Sequence, residues 1–319
     1  MLRKRWLDIL GPFIGLFAVI AVFAIISGAP AQFLSPANLR IVFAQTVIVA
    51  IGAIGMTVII ISAGIDLSVG ATVALSSVIT ALALQNSYPP FVAIFIGMFV
   101  GGIVGLINAF AITRLGVVPF IATLGMLGVA RGFAKFFAHQ QTVNPPPTWL
   151  NELAVTFPAQ PWMLVAPGVW MAAILAVLMS VVLHRTVFGR RVFAIGSNEL
   201  AAKACGIRVD RMKLWIYFVG GLFFGLAGVM QMSRLRQGDP TVAVGVELDV
   251  IAAVVIGGGS LNGGEGSVLG AMIGALIMAF LRNGCVQMGW ANYVQEIIIG
   301  VIIVLAVALD RYRAKVMQA

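Results

Sequence analysis

Groups able to do chemistry are sparse in this sequence, and one of them stands in very apolar surroundings. Asp66 lies within "SAGIDLSVGA" (62–71), among two glycines and two serines. No charge stands between Ile41 and Ile65, and none follows Asp66 until Arg114. A carboxylate at membrane depth costs about 2.5–3.5 kcal/mol on insertion scales and usually marks a polar path. Asp66 or Ser68 equally suits capping, accepting from the first amides of a helix that starts near Leu67. The two uses are compatible. Covalent or metal chemistry lacks its groups: the only histidines are His139 and His184, no H-E-x-x-H occurs, and Asp66 has no obvious partner aspartate. Cys205 and Cys285 match no metal or disulfide spacing and read as apolar filler. No catalytic residue, cofactor or metal is expected.

Such groups need elements to hold them, and composition says which. The 319 residues are 61% hydrophobic and 10% charged, against roughly half and a quarter in soluble domains. Apolar runs near 9–28, 41–61, 67–84, 91–112, 117–137, 163–183, 214–233, 250–259, 267–282 and 292–309 approach the ~20 residues that cross a ~30 Å hydrocarbon layer. The expected fold is all-α: one transmembrane domain over 1–319, a polytopic bundle of about ten passes with broken helices. Either of 250–259 and 267–282 also fits a re-entrant half-helix. The basic start "MLRKRWLDIL" lacks a small-residue cleavage site after its apolar run, so it reads as a retained first helix.

Charge sets the orientation. Residues 184–213 hold seven Lys or Arg against two acids, whereas 139–162 hold Glu152 alone. The first segment is therefore expected in the cytoplasm, the second outside, and the basic termini inside with the first. Arg234 and Arg236 fall on the outer side and run mildly against the rule. The net charge of +9 follows from this bias and argues for no nucleic-acid partner. Trp149, Trp162 and Trp290 fit an interfacial belt.

The cytoplasmic stretch "FGRRVFAIGSNELAAKACGIRVDRMK" (188–213) is too patterned for a linker. Ser197 or Asn198 suits the N-cap of a short helix, "ELAAKACG", that stops at Gly206. Such a capped helix outside the membrane is a docking element. In "VVIGGGSLNGGEGSVLGAMIGALIMAF" (254–280), six glycines between Gly257 and Gly266, with Asn262 and Glu265, break a helix. Broken backbone at membrane depth needs surrounding protein or a water-filled cavity. Gly270 and Gly274 are spaced for close helix packing, and the run lacks the Lys-Ser/Thr of a phosphate loop. "GIDLSVGA" (64–71) and "GGEGSVLGA" (263–271) each open an apolar helix after a glycine turn, which hints at an internal duplication. Asn108, Gln45 and Gln231 lie in apolar helices, able to meet a polar solute or to bond between helices. Arg131 and Lys135, one turn apart, are expected to snorkel outward. Glu296, the one acid in the last apolar run, suits a cap, a pair or a path.

"GMTVIIISAGIDLSVGA", the 188–213 stretch, "VELDVIAAVVIGGGSLNGGEGSVLGAMIGAL" and "GVIIVLAVALD" together resemble the ribose-type permease subunits of bacterial ABC sugar importers. The resemblance covers roughly Ile41 to Asp310. It implies a multi-pass inner-membrane subunit that passes a monosaccharide, a pentose or hexose. The sugar arrives on an extracytoplasmic binding protein, a second permease copy or paralogue completes the path in the lipid, and a separate cytoplasmic ATPase drives it. Gly196, Asn198, Glu199, Ala202 and Gly206 then fall in the coupling helix, and Asp66 and Ser68 beside the path, with Asn108 and Asn262 as further path or helix-break positions. Glu265 stands where the family often has a basic or neutral residue. A rival reading is an ion-coupled secondary transporter with Asp66 or Glu296 as carrier. Another is a permease of the same family for a nucleoside or other small polar solute.

Overall fold

A computed structural model describes residues 2–158 and 163–318; Trp162 of the expected aromatic belt lies outside them. Among these residues the chain is helical, without strands, and has one isolated antiparallel bridge between Val143 and Gly238. The first half holds α1 (Leu2–Ile26), α2 (Pro30–Phe33), α3 (Pro36–Ile61), α4 (Val69–Gln85), α5 (Pro90–Arg114) and α6 (Pro119–Phe137). The second half holds α7 (Pro167–Arg185), α8 (Val187–Ser197), α9 (Glu199–Ala204), α10 (Val209–Leu235), α11 (Val246–Ile256), α12 (Val268–Gln287) and α13 (Asn292–Gln318). Proline opens α2, α3, α5, α6 and α7, where its missing N–H costs no intrahelical bond.

Six helices (α3, α5, α6, α7, α10 and α12) are long and apolar enough to cross a membrane, and α4 and parts of α1 and α13 are apolar but shorter. The chain is a multi-pass membrane protein. α3 is apolar all round, and 89% of its most apolar window is buried inside the molecule, against 17% for α6. A helix of that kind belongs at the centre of a bundle. Around it stand α10, α12, α11 and α7, while α5 and α4 flank α10.

Small residues set the closest contacts. Gly101 of α5 lies so near α10 that a methyl on it would sit 2.7 Å from Gly225 Cα. Gly270 and Gly274 press on the backbone of Gly257 and Ala253, so α11 and α12 pack main chain to main chain, as their spacing predicts. Asn38 of α3 and Asn283 of α12, both buried, exchange amide hydrogen bonds of 3.0 and 2.9 Å.

Two helices are broken. α3 stops at Ile61, and α4 resumes at Val69 after a stretch in which Ala63 takes a left-handed φ of 61°. α11 stops at Ile256, and α12 begins at Val268, capped by Ser267, whose Oγ accepts from Gly270 N at 3.3 Å. With 11 residues, α11 rises about 16 Å, half the ~30 Å layer.

Candidate functional site

The site begins with the segment between α7 and α10. Thr186 Oγ1 accepts from Gly189 N at 3.3 Å and starts α8, a helix that the sequence pattern alone did not place. A signal was there: Val192 and Ile195 are buried while Arg190 and Arg191 are exposed, a helical period. α8 ends where Asn198 turns extended, and Asn198 Oδ1, rather than Ser197, accepts from Ala201 N at 2.9 Å to cap α9. Gly206 follows at φ 83°, beyond the helix end. Ala202 is buried, whereas Leu200 is 79% exposed. Glu199 joins Lys203 at 3.1 Å and Lys213 at 2.8 Å. Burial works against its charge, but those two ammonium groups prevail and hold its carboxyl below the usual range. α8 and α9 together form an elbow.

The bend of the elbow rests on both helix breaks. Gly196 faces the Ile61 carbonyl at the end of α3, and a methyl on it would meet Gly264 N at 2.5 Å. Gly264 N donates to the same Ile61 carbonyl at 2.8 Å. A methyl on Gly263 would meet Ala63 Cβ at 2.6 Å and the Gly196 carbonyl at 2.8 Å. Three backbones, from the elbow and the two breaks, thus meet without side chains between them.

Inward from that junction lies the polar cluster of the first break. Asp66 Oδ1 accepts from Ser68 N at 2.8 Å and Ser68 Oγ at 2.6 Å. Asn108 Nδ2 of α5 donates to Asp66 Oδ2 and to Ser68 Oγ, each at 3.0 Å. Tyr217 of α10 donates to the Ile65 carbonyl at 3.4 Å. One expectation, side-chain capping of the next helix, is corrected. Asp66 is 1% exposed, so hydrogen bonds rather than water offset the cost of its burial. Neither Asp66 nor Ser68 caps an α4 amide through its side chain, because the carboxylate bonds back to Ser68 itself. Asn262 lies exposed in the second break, its main-chain N–H donating to Ser260 Oγ at 3.3 Å.

Farther along, four ionisable residues gather at the non-helical stretch 236–245 and at α11. Arg131 of α6 donates to the carbonyls of Pro240, at 3.0 Å, and Val242, so it points into the protein rather than snorkelling. Arg282 holds Asp249 with bonds of 2.9 and 3.0 Å. Glu247 completes the set. Sequence reading passed over all but Arg131, because "VELDV" sits at the edge of an apolar run and partners distant in the chain are invisible there. Glu296 is exposed and pairs with Asn292, one turn before it, at 2.9 Å.

A model of the branched-chain amino acid transport system / permease component family matches residues 38–307. The chain belongs to this permease family. It is 40% identical to the ribose import permease of Bacillus subtilis over 307 residues, 96% of this chain and 93% of that one. It is 37% identical to the ribose import permease of Escherichia coli K12, covering 92% of each. With the fructose import permease of Rhizobium meliloti it shares 35% over 96% of this chain and 86% of the other. No solved structure matches. The permease is a transport subunit, and its family is not one of enzymes. The match takes in the elbow, both breaks and the Asp66 cluster.

Proposed function

We propose that residues 1–319 form one permease domain of an ATP-driven importer that moves a monosaccharide from an extracytoplasmic binding protein to the cytoplasm. Relatives named for ribose and fructose import support the sugar class. Nine helices (α1, α3, α4, α5, α6, α7, α10, α12 and α13) and the broken pass over 236–256 make ten crossings of the bacterial inner membrane. Both termini and the elbow then lie in the cytoplasm, and a second copy or paralogue completes the path.

The observation that carries this reading is the elbow. α9 offers Leu200 outward, an apolar knob for a groove on the ATPase, with Glu199 tied to the α10 base through Lys213. Ala202 and Gly196 seat it on the protein, and Asn198 and Gly206 end its helices. Movement of α9 then reaches both helix breaks at once, through backbone contacts that transmit displacement without side-chain slack. The Asp66–Ser68–Asn108 cluster, anchored between α4 and α5, holds the first break in one arrangement, and Asn262 rides on the second. Neutral sugars need only weak, scattered hydrogen bonds on the way.

The test is to purify the tagged chain from its native membrane, identify what accompanies it, and measure nucleotide hydrolysis. A companion ATPase is expected, and replacing 196–202 with a flexible linker should release it while membrane insertion persists. Retained association overturns the elbow as the docking element.

A further inference from the structure

The broken pass carries more than a break. After α10 ends at Leu235, with Arg236 in a left-handed conformation (φ 58°), residues 236–245 run without helix. Gly238 lies against Ser77 and Ala81 near the far end of α4, and the Ala243 carbonyl lies against Gly70 near its start. Residues 70 to 81 of a helix rise about 16 Å, so non-helical chain descends through roughly half the ~30 Å hydrocarbon thickness. Backbone of this kind survives at that depth only inside protein or along a water-filled cavity. One side of the descent is covered by α4. Arg131 of α6 reaches two of its carbonyls, and Val244 (76% exposed) and Leu248 (47%) face away from the protein.

Charge is concentrated along the same descent, where an ionisable side chain usually marks a solute path. Arg131 is bonded to carbonyls, and Asp249 is bonded to Arg282. Glu247 is different. Its Oε1 accepts from Gly245 N at 3.2 Å, but its buried Oε2 has no hydrogen-bond partner. That oxygen lies in the notch left by the missing side chain of Gly70, beside the Ala243 carbonyl. A buried acceptor left without a donor raises the energy of the arrangement that holds it.

We propose that Glu247 is a specificity-determining residue of the permeation path, whose undonated Oε2 accepts a hydrogen bond from a hydroxyl of the passing sugar. The inference rests on the monosaccharide reading. In the arrangement described, the oxygen is shut in the Gly70 notch. When the start of α11 moves off α4, the oxygen is exposed and a sugar hydroxyl supplies the missing donor. The solute thereby favours the open arrangement, since it bonds only there. Gly70, within the first sequence motif, is the clearance that lets the carboxylate retract.

The experiment uses the complete importer, with its ATPase and binding protein, in proteoliposomes, and a panel of radiolabelled pentoses and hexoses with their monodeoxy analogues. Glu247→Ala should cut uptake of the preferred sugar by about ten- to a hundredfold, the worth of a hydrogen bond to a charged acceptor. Glu247→Gln, which keeps an acceptor, should lose far less. One monodeoxy analogue, lacking the donor hydroxyl, should be carried equally by wild type and Glu247→Ala. The unfolding temperature of Glu247→Ala should fall only slightly, because Oε2 has no bond to lose and Oε1 loses one, from Gly245 N. Wild-type uptake and discrimination in Glu247→Ala overturn the proposal, and so does a markedly lowered unfolding temperature with loss uniform across all analogues. If wild type carries no sugar of the panel, the monosaccharide reading fails first and takes this proposal with it.

Discussion

At the scale of single residues, the cluster at the first break predicts how Asp66 tolerates change. Asp66→Asn keeps an oxygen for both Ser68 donors, and its new amide can donate to Asn108 Oδ1, which is buried and unpartnered, once the Asn108 amide turns. Thermal unfolding in detergent should shift little and ATP-driven uptake should persist. Asp66→Ala strands the Ser68 and Asn108 donors in a buried site and should cost about 1–3 kcal/mol. Complete loss of transport in well-folded Asp66→Asn means the charge itself is needed. Glu199 makes a different prediction. Its folded-state pKa is lowered, so its contribution is present above the ordinary value of 4.5 and is lost as pH falls through the folded-state value. Its side chain is 39% exposed, which limits the contribution to less than about 1 kcal/mol. Comparing melts of wild type and Glu199→Gln at neutral and acid pH checks this: the gap between them should close on the acid side.

At the scale of elements, the junction of elbow and breaks is where stiffness matters. Gly196→Ala inserts a methyl where the Ile61 carbonyl and Gly264 N leave no room, so the elbow must lift from both breaks. Leu200 and the α9 cap are untouched, and the ATPase should still co-purify. Hydrolysis should continue with uptake reduced severalfold or more, an uncoupled phenotype. Normal uptake per ATP hydrolysed shows that displacement travels by another route. The same closeness explains the glycines in "GGGSLNGGEG": Gly263 and Gly264 have φ near 80° and also abut the elbow, which excludes a side chain on two grounds.

At the scale of the whole molecule, the buried carboxylate of Asp66 invites an ion-coupled alternative, and energy source separates the two. Uptake into proteoliposomes holding the complete importer should require Mg-ATP and be indifferent to an ionophore that collapses the proton gradient. Uptake by the isolated chain, abolished by the ionophore, overturns the ATP-driven reading. The internal likeness of the breaks also belongs to this scale. The turns after α3 and α11 lie side by side, joined by the Gly264 to Ile61 hydrogen bond; an internal duplication predicts that the helix pairs flanking them superimpose, and unrelated geometry ends the idea.

Much of this permease was legible along the chain. Apolar runs are local signals, and they placed α3 through α7, α10 and α12 near their observed limits. The short helix of "ELAAKA" was legible for the same reason, since a cap and a glycine stop act within a few residues. Pairing was not legible. That Arg131 bends inward to the carbonyls of the broken pass, that Asn38 clasps Asn283, and that no donor reaches Glu247 Oε2 depend on residues far apart in sequence. Nor did local pattern say that Asp66 is dry, because burial is decided by α5 and α10 closing over it. Sequence by itself determined the elements and their order, since helix formation and apolar transfer are largely local; only the tertiary structure decided which polar groups find partners, because in a low-dielectric interior that depends on which backbones approach.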